Sequence, residues 1–201
     1  EQITWNDLYD KVCKLSRYFK KIDLKKGDRV AAYVPNKIET IISFLACAKN
    51  GIIWSSCSPD FGVQGVVDRF KQIEPKVLIT SDYYFYNGKK INIINKAKEV
   101  LTQIPSIKKT IVFNYDQKEK EDLKDFIDFE ETLKSSLDQN FEKFEFNHPI
   151  YILFSSGTTG KPKCITHGAG NVLIEHNKEF MLHCEIKEND RLFYYTTTGW
   201  M

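Results

Sequence analysis

Along the first half of the chain, apolar positions alternate between helical and strand spacing. Trp5, Leu8, Tyr9, Val12, Leu15, Phe19 and Ile22 recur at helical spacing. They follow Thr4 and Asp7, a capping-box-like start with Asp where Glu or Gln is usual. Gly27-Asp28 breaks that pattern, residues 29–34 read as a short buried strand, and Pro35-Asn36 makes a turn. A second helix should carry Ile38, Ile41, Ile42, Leu45 and Ala48, with Gly51 where a C-terminal cap belongs. The cycle repeats with a strand at 52–56, a turn at Ser58-Pro59-Asp60, and a helix marked by Val63, Val66, Val67, Phe70 and Ile73 that Pro75 ends. Residues 77–80 form the next strand, 82–90 a loop, 93–103 a helix before Pro105, and 110–115 a strand. Strands alternating with amphipathic helices need crossover connections, so the expected fold class is α/β, a mostly parallel sheet with flanking helices.

The second half begins with polar sequence. Nine of the ten residues at 116–125 are charged or amide-bearing, which marks an exposed connection. A short helix at 129–137 and another charged link lead to His148-Pro149. Residues 150–154 read as a buried strand that runs straight into Ser155-Ser156-Gly157-Thr158-Thr159-Gly160-Lys161-Pro162-Lys163. Extended chain at 164–167, a helix at 170–184 and a strand at 191–195 complete the expectation. No internal repeat of fixed period accompanies the strand–helix alternation.

The stretch 155–163 is the strongest chemical signal in the chain. Ser155, Ser156, Thr158 and Thr159 supply four hydroxyl groups, and Gly157 and Gly160 let the backbone bring N–H groups close to a bound oxygen. Lys161 and Lys163 add positive charge on flexible stems, and Pro162 keeps a helix from starting at once. Such a loop suits a polyphosphate. It is not a Walker A loop, which would need Gly at position 155 and Ser or Thr at position 162.

Composition narrows the remaining classes. The 29 basic and 27 acidic residues leave a net charge of +2, well short of the basic excess that nucleic-acid binding requires. Five cysteines without a C-x-x-C pair indicate neither a disulfide framework nor a zinc site, and His148, His167, His176 and His183 add no metal-ligand pattern. No metal site is therefore expected. There is no G-x-S-x-G elbow for a serine hydrolase. No apolar run reaches the length of a membrane span, and free thiols fit a reducing compartment, so the expectation is a cytoplasmic protein without membrane or nucleic-acid partners.

The run Ser155-Ser156-Gly157-Thr158-Thr159-Gly160-Lys161-Pro162-Lys163 resembles the phosphate-loop signature of the adenylate-forming superfamily of acyl-CoA synthetases, luciferases and peptide-synthetase adenylation domains. The segment from Gly27 through Asn36 is similar to the first strand and turn of that family's large domain. Ser58-Pro59-Asp60-Phe61-Gly62, Tyr86-Asn87-Gly88-Lys89 and Thr196-Thr197-Thr198-Gly199-Trp200-Met201 together resemble its acetoacetyl-CoA synthetase branch.

The resemblance implies an ATP-dependent acid–thiol ligase that makes an acyl-adenylate from a small carboxylic acid and passes the acyl group to CoA. Acetoacetate is the expected acid, and Mg2+ accompanies ATP. An acetyl- or propionyl-type synthetase and a non-catalytic nucleotide-binding module are the alternatives. It further implies that Ser155, Ser156, Gly157, Thr158, Thr159, Gly160 and Lys161 grip the ATP phosphates with Lys163 beside them. By the same resemblance Tyr86, Asn87, Gly88 and Lys89 meet the CoA nucleotide, in a loop where related enzymes carry two arginines, and Trp200 borders the acyl pocket. An Asn-Gly surface turn and a core tryptophan are the plainer readings of those last two features. The ribose-binding aspartate, acidic metal ligand and catalytic lysine of the family have no counterpart in these residues. Residues 1–201 are accordingly expected to be an incomplete large N-terminal domain without its small C-terminal partner, inactive in isolation.

Overall fold

The computed structural model describes residues 2–116, 124–155 and 160–199. In chain order its elements are α1 (Trp5–Lys21), β1 (Arg29–Tyr33), α2 (Ile38–Lys49), β2 (Ile53–Cys57), α3 (Val63–Phe70) and β3 (Val77–Ser81). Then come β4 (Tyr83–Tyr86), β5 (Lys89–Asn92), α4 (Ile94–Gln103), β6 (Lys109–Phe113), β7 (Ile127–Asp128) and α5 (Phe129–Thr132). The last are β8 (Pro149–Ser155), β9 (Lys163–Gly168) and α6 (Ala169–Lys178), which runs on into a π-helical turn at Glu179–His183.

Seven strands form one sheet in the order β7-β6-β3-β1-β2-β8-β9, and β4 and β5 pair separately. Every neighbour pair in the large sheet is parallel except β8–β9, which is antiparallel. The two-residue period of β1 divides the core between the two faces. Val30, Ala32 and Val34 pack with Val12, Leu15 and Phe19 of α1 and Ile42 and Ala46 of α2. Ala31 and Tyr33 pack with Val66 and Phe70 of α3 and Ala97 and Val100 of α4. Helices thus cover both faces of a largely parallel sheet, the α/β arrangement expected from the sequence.

Several local expectations change. Thr4 caps α1 by accepting from the Asp7 N–H at 3.1 Å, but the Asp7 carboxylate takes the Thr4 hydroxyl at 2.6 Å; Asp7 is one methylene shorter than the Glu of a full capping box. Residues 82–90 are not a loop. They form the β4–β5 hairpin, turned by Asn87 at φ +47° and Gly88 at φ +74°, a pair of positive φ values that matches strand twist. The helix expected over 129–137 stops at Thr132, where Leu133, Lys134 and Ser135 N–H groups bond three residues back instead of four. Strand β8 exists, but only Ile152 along it is fully buried.

Residues 191–195 form no strand. Phe193 and Tyr195 stand 84% and 93% exposed, so the alternating pattern there has found neither a ladder nor a core. Of the charged connection at 116–125, residues 117–123 lie outside the described residues.

Candidate functional site at the carboxyl edge of the sheet

Because β1, β2, β3, β6 and β8 are parallel, their carboxyl ends open on one edge, where ligands of open α/β sheets bind. Two features occupy that edge. One is the junction of β8 and β9; the other is a cavity of about 500 Å³ lined by residues just after β1, β2 and β6 and by β4.

The junction is anchored at its base. Ser155 ends β8 directly opposite Lys163 at the start of β9, and Phe154 faces Cys164 one step further in. The antiparallel ladder therefore brings the two ends of the 155–163 segment together. Ser156, Gly157, Thr158 and Thr159 lie outside the described residues. Gly160, Lys161 and Lys163 are exposed, and a Cβ added at Gly160 would meet no other atom within 4 Å. Among the described residues no carboxylate pairs with Lys161 or Lys163. Their positive charge faces solvent.

Sequence reading missed Gln72. Its side-chain amide donates to the Asp68 carbonyl at 2.7 Å and to the Pro162 carbonyl at 2.9 Å, while its Oε1 accepts from Cys164 Sγ at 3.6 Å. One side chain just after α3 thus holds Pro162 and Cys164 at the start of β9. An exposed glutamine after a helix carries no sequence signal for such a role. His167, on β9 opposite Tyr151, packs its ring on that tyrosine at 4.8 Å, a structural contact below the turn.

The cavity is lined by the turn at Ser58, Pro59 and Asp60, by the hairpin and by Tyr115. Tyr33 fixes the turn from below, its hydroxyl within reach of the Phe61 carbonyl at 2.5 Å and the Pro59 carbonyl at 3.1 Å. Burial raises the Tyr33 phenol above its ordinary pKa, so this donor keeps its proton. Ser58 Oγ donates to Asp60 Oδ2 at 2.9 Å. Tyr84 is pushed up to about 12, by burial first and by the neighbouring Asp60 carboxylate second.

The hairpin is held by Asp82 and by aromatic packing. Asp82 Oδ1 accepts from the N–H groups of Tyr83 at 2.7 Å and Tyr115 at 2.8 Å, joining the ends of β3 and β6. The rings of Tyr83, Phe85 and Tyr115 contact one another at 5.1–5.8 Å, and Lys90 Nζ sits 3.8 Å above Tyr83. Tyr86 and Lys89, an opposed pair on the hairpin, are left exposed at its tip beside Asn87 and Gly88. Trp200 lies outside the described residues. Among the described residues no group of three or more His, Cys, Asp or Glu side chains is placed to hold a metal ion.

The sequence profile of the family described as AMP-binding enzyme matches residues 1–201. The chain belongs to that family. Among AMP-binding enzymes, it is 44% identical to the acetoacetyl-coenzyme A synthetase of Rhizobium meliloti (strain 1021), over all of this chain and 31% of that protein. It is 41% identical to the malonamoyl-CoA synthetase of Penicillium aethiopicum, over 99% of this chain and 29% of that one. The structure of acetoacetyl-CoA synthetase from Streptomyces lividans matches all of this chain and 31% of its own length, with a TM-score of 0.93 and 38% identity. The chain therefore spans about a third of the length of these AMP-binding enzymes.

Proposed function

We propose that the chain is the ATP-phosphate-holding part of an AMP-forming acid–thiol ligase whose acid is acetoacetate. The observation that carries this reading is the Ser155–Lys163 register, which brings together the two ends of a hydroxyl- and glycine-rich segment at the ligand edge of the sheet, beside two ammonium groups that no carboxylate pairs among the described residues. In the proposed reaction an acid carboxylate oxygen attacks the α-phosphorus of ATP, and the bond to the β-bridging oxygen breaks. Pyrophosphate leaves and acyl-adenylate remains. The CoA thiol, losing its proton, then attacks the acyl carbon and AMP departs.

Negative charge accumulates on the departing pyrophosphate, so preorganised donors there favour the transition state over the ground state. The hydroxyls and amides of 155–160 would bind the β- and γ-phosphates, and Lys161, with Lys163 beside it, would neutralise the leaving group. Mg2+ bound to ATP supplies further neutralisation of phosphate oxygens. Among the described residues no group of three or more His, Cys, Asp or Glu side chains is placed to hold that ion. Tyr86 and Lys89 at the hairpin tip would meet the CoA nucleotide, the ring by stacking on adenine and the ammonium by contact with a phosphate.

Support for the acid comes from the relatives. Acetoacetate and malonamate both carry a carbonyl at C3 and a small terminal group, which separates them from acetate and propionate. Five free thiols fit the cytoplasm as the compartment.

Replacing Lys161 with Ala in the full-length protein should weaken ATP use by about 1.5–3 kcal/mol, roughly ten- to a hundredfold or more in rate. A coupled pyrophosphate-release assay with acetoacetate, acetate and propionate reads both the loop and the acid. The 201 residues alone should release no pyrophosphate. An unchanged rate in Lys161→Ala would show that the turn's charge is not used, and a preference for acetate would move the chain to the acetyl-type alternative. Nucleotide binding without turnover by the full-length protein would make it a binding module.

A further inference from the structure

The segment Thr196-Thr197-Thr198-Gly199 returns across 160 residues of sequence to lie on the carboxyl ends of β1 and β2. Asn36, in the turn after β1, holds it at two points. Its Nδ2 donates to the Thr196 carbonyl at 2.6 Å, and its Oδ1 accepts from the Thr198 N–H at 3.0 Å. A third bond comes from β2, where Ser56 Oγ donates to the Thr198 carbonyl at 2.6 Å. Ser56 is itself oriented by Trp54, whose indole N–H donates to the same Oγ at 3.2 Å.

Gly199 completes the dock by close approach. An added Cβ would lie 2.9 Å from the Ser56 carbonyl oxygen, 3.1 Å from Cys57 Cα and 3.2 Å from the Ser58 nitrogen. All three are backbone atoms of the strand end and the turn after it, and backbone cannot swing aside as a side chain can. Each of the three hydrogen bonds ends on strap backbone, so the dock does not depend on the threonine side chains.

The docked strap is a wall of the 500 Å³ cavity. Tyr194, Tyr195, Thr196 and Thr197 line that space together with Asn36 and with Tyr84–Tyr86 of the hairpin. We propose that Asn36 is a positioning residue that sets the width of this cavity by clamping the strap, and that through it β1 governs use of CoA and of the acid while leaving ATP to the β8–β9 turn. The proposal rests on the ligase reading above for its kinetic consequence, and on hydrogen-bond geometry alone for the clamp.

The test pairs an exchange measurement with kinetics on the full-length protein, comparing wild type, Asn36→Ala, Ser56→Ala and the double variant. Hydrogen–deuterium exchange of the Thr198 amide, read in the peptide covering 192–199, should rise about tenfold in Asn36→Ala, the loss of a hydrogen bond worth about one power of ten. KM for CoA and for acetoacetate should rise by a similar factor, with KM for ATP within about twofold of wild type. Because both side chains hold one segment, the double variant should fall short of the product of the single effects. Unchanged exchange at 192–199 would overturn the clamp. Raised exchange with unaltered kinetics, or an equal change for ATP, acid and CoA, would overturn the positioning role. None of these results depends on Lys161, so a failure of the ligase reading shows separately: exchange would respond in Asn36→Ala while no acid supports pyrophosphate release in wild type.

Discussion

Four buried acids with neutral protonated forms give the fold a defined weakness at high pH. Burial pushes the Cys57 thiol up to about 12, partly offset by Arg69, and raises Cys47 well above its ordinary value. Tyr33 and Tyr84 are raised chiefly by the same cause. In the unfolded chain the thiols titrate near pH 9 and the phenols near pH 10, before their folded counterparts. The unfolded state then binds fewer protons than the folded one, so stability is full below about pH 9 and declines as pH climbs toward 12. A single such group contributes at most about 1.4 kcal/mol per pH unit. The urea midpoint should stay level from pH 7 to 8.5 and fall above pH 9, with a shallower fall in Cys57→Ala; a midpoint flat to pH 11 would contradict these burial effects. At this scale the sequence offers a contiguous motif at 155–163, of which residues 156–159 lie outside the described residues. It was silent on Asn36, Ser56 and Gln72, ordinary polar residues whose importance comes from partners 90 to 162 positions away.

Helix ends and turns show the next level. Gly51 follows the last turn of α2 at φ +64°, the left-handed conformation expected of it from sequence. Its surroundings add a second constraint that no local pattern reveals. A Cβ there would stand 2.6 and 2.9 Å from the Phe144 ring and 3.0 Å from His148 Nε2, which contacts the Gly51 carbonyl oxygen at 2.9 Å. Gly51→Ala should therefore cost about 2–4 kcal/mol, combining left-handed strain with overpacking. Chemical denaturation measures this, and a loss under about 0.5 kcal/mol would mean that Phe144 moves freely. Elements with a full apolar period were read within a few residues. The β4–β5 hairpin was missed because its aromatic run pairs only with itself, and 191–195 was misread because alternation alone does not provide a neighbouring strand.

Across the whole molecule, alternating elements dictated the layer arrangement, and parallel pairing dictated which edge carries the site. Neither the strand order nor the antiparallel return of β9 was legible, since long-range pairing leaves no local mark in the sequence. That return matters most for the proposed function, because it brings Ser155 and Lys163 opposite each other. Leu173, Met181, Leu182 and Leu192 remain largely exposed on the same end of the chain, in a protein spanning about a third of its relatives' length. The direct test is a crystal structure of the full-length protein with a non-hydrolysable ATP analogue. The β- and γ-phosphate oxygens should lie within hydrogen-bond distance of residues in 155–161, with the Lys161 ammonium beside them. A triphosphate seated elsewhere, more than about one loop length (~10 Å) from this turn, would contradict the account.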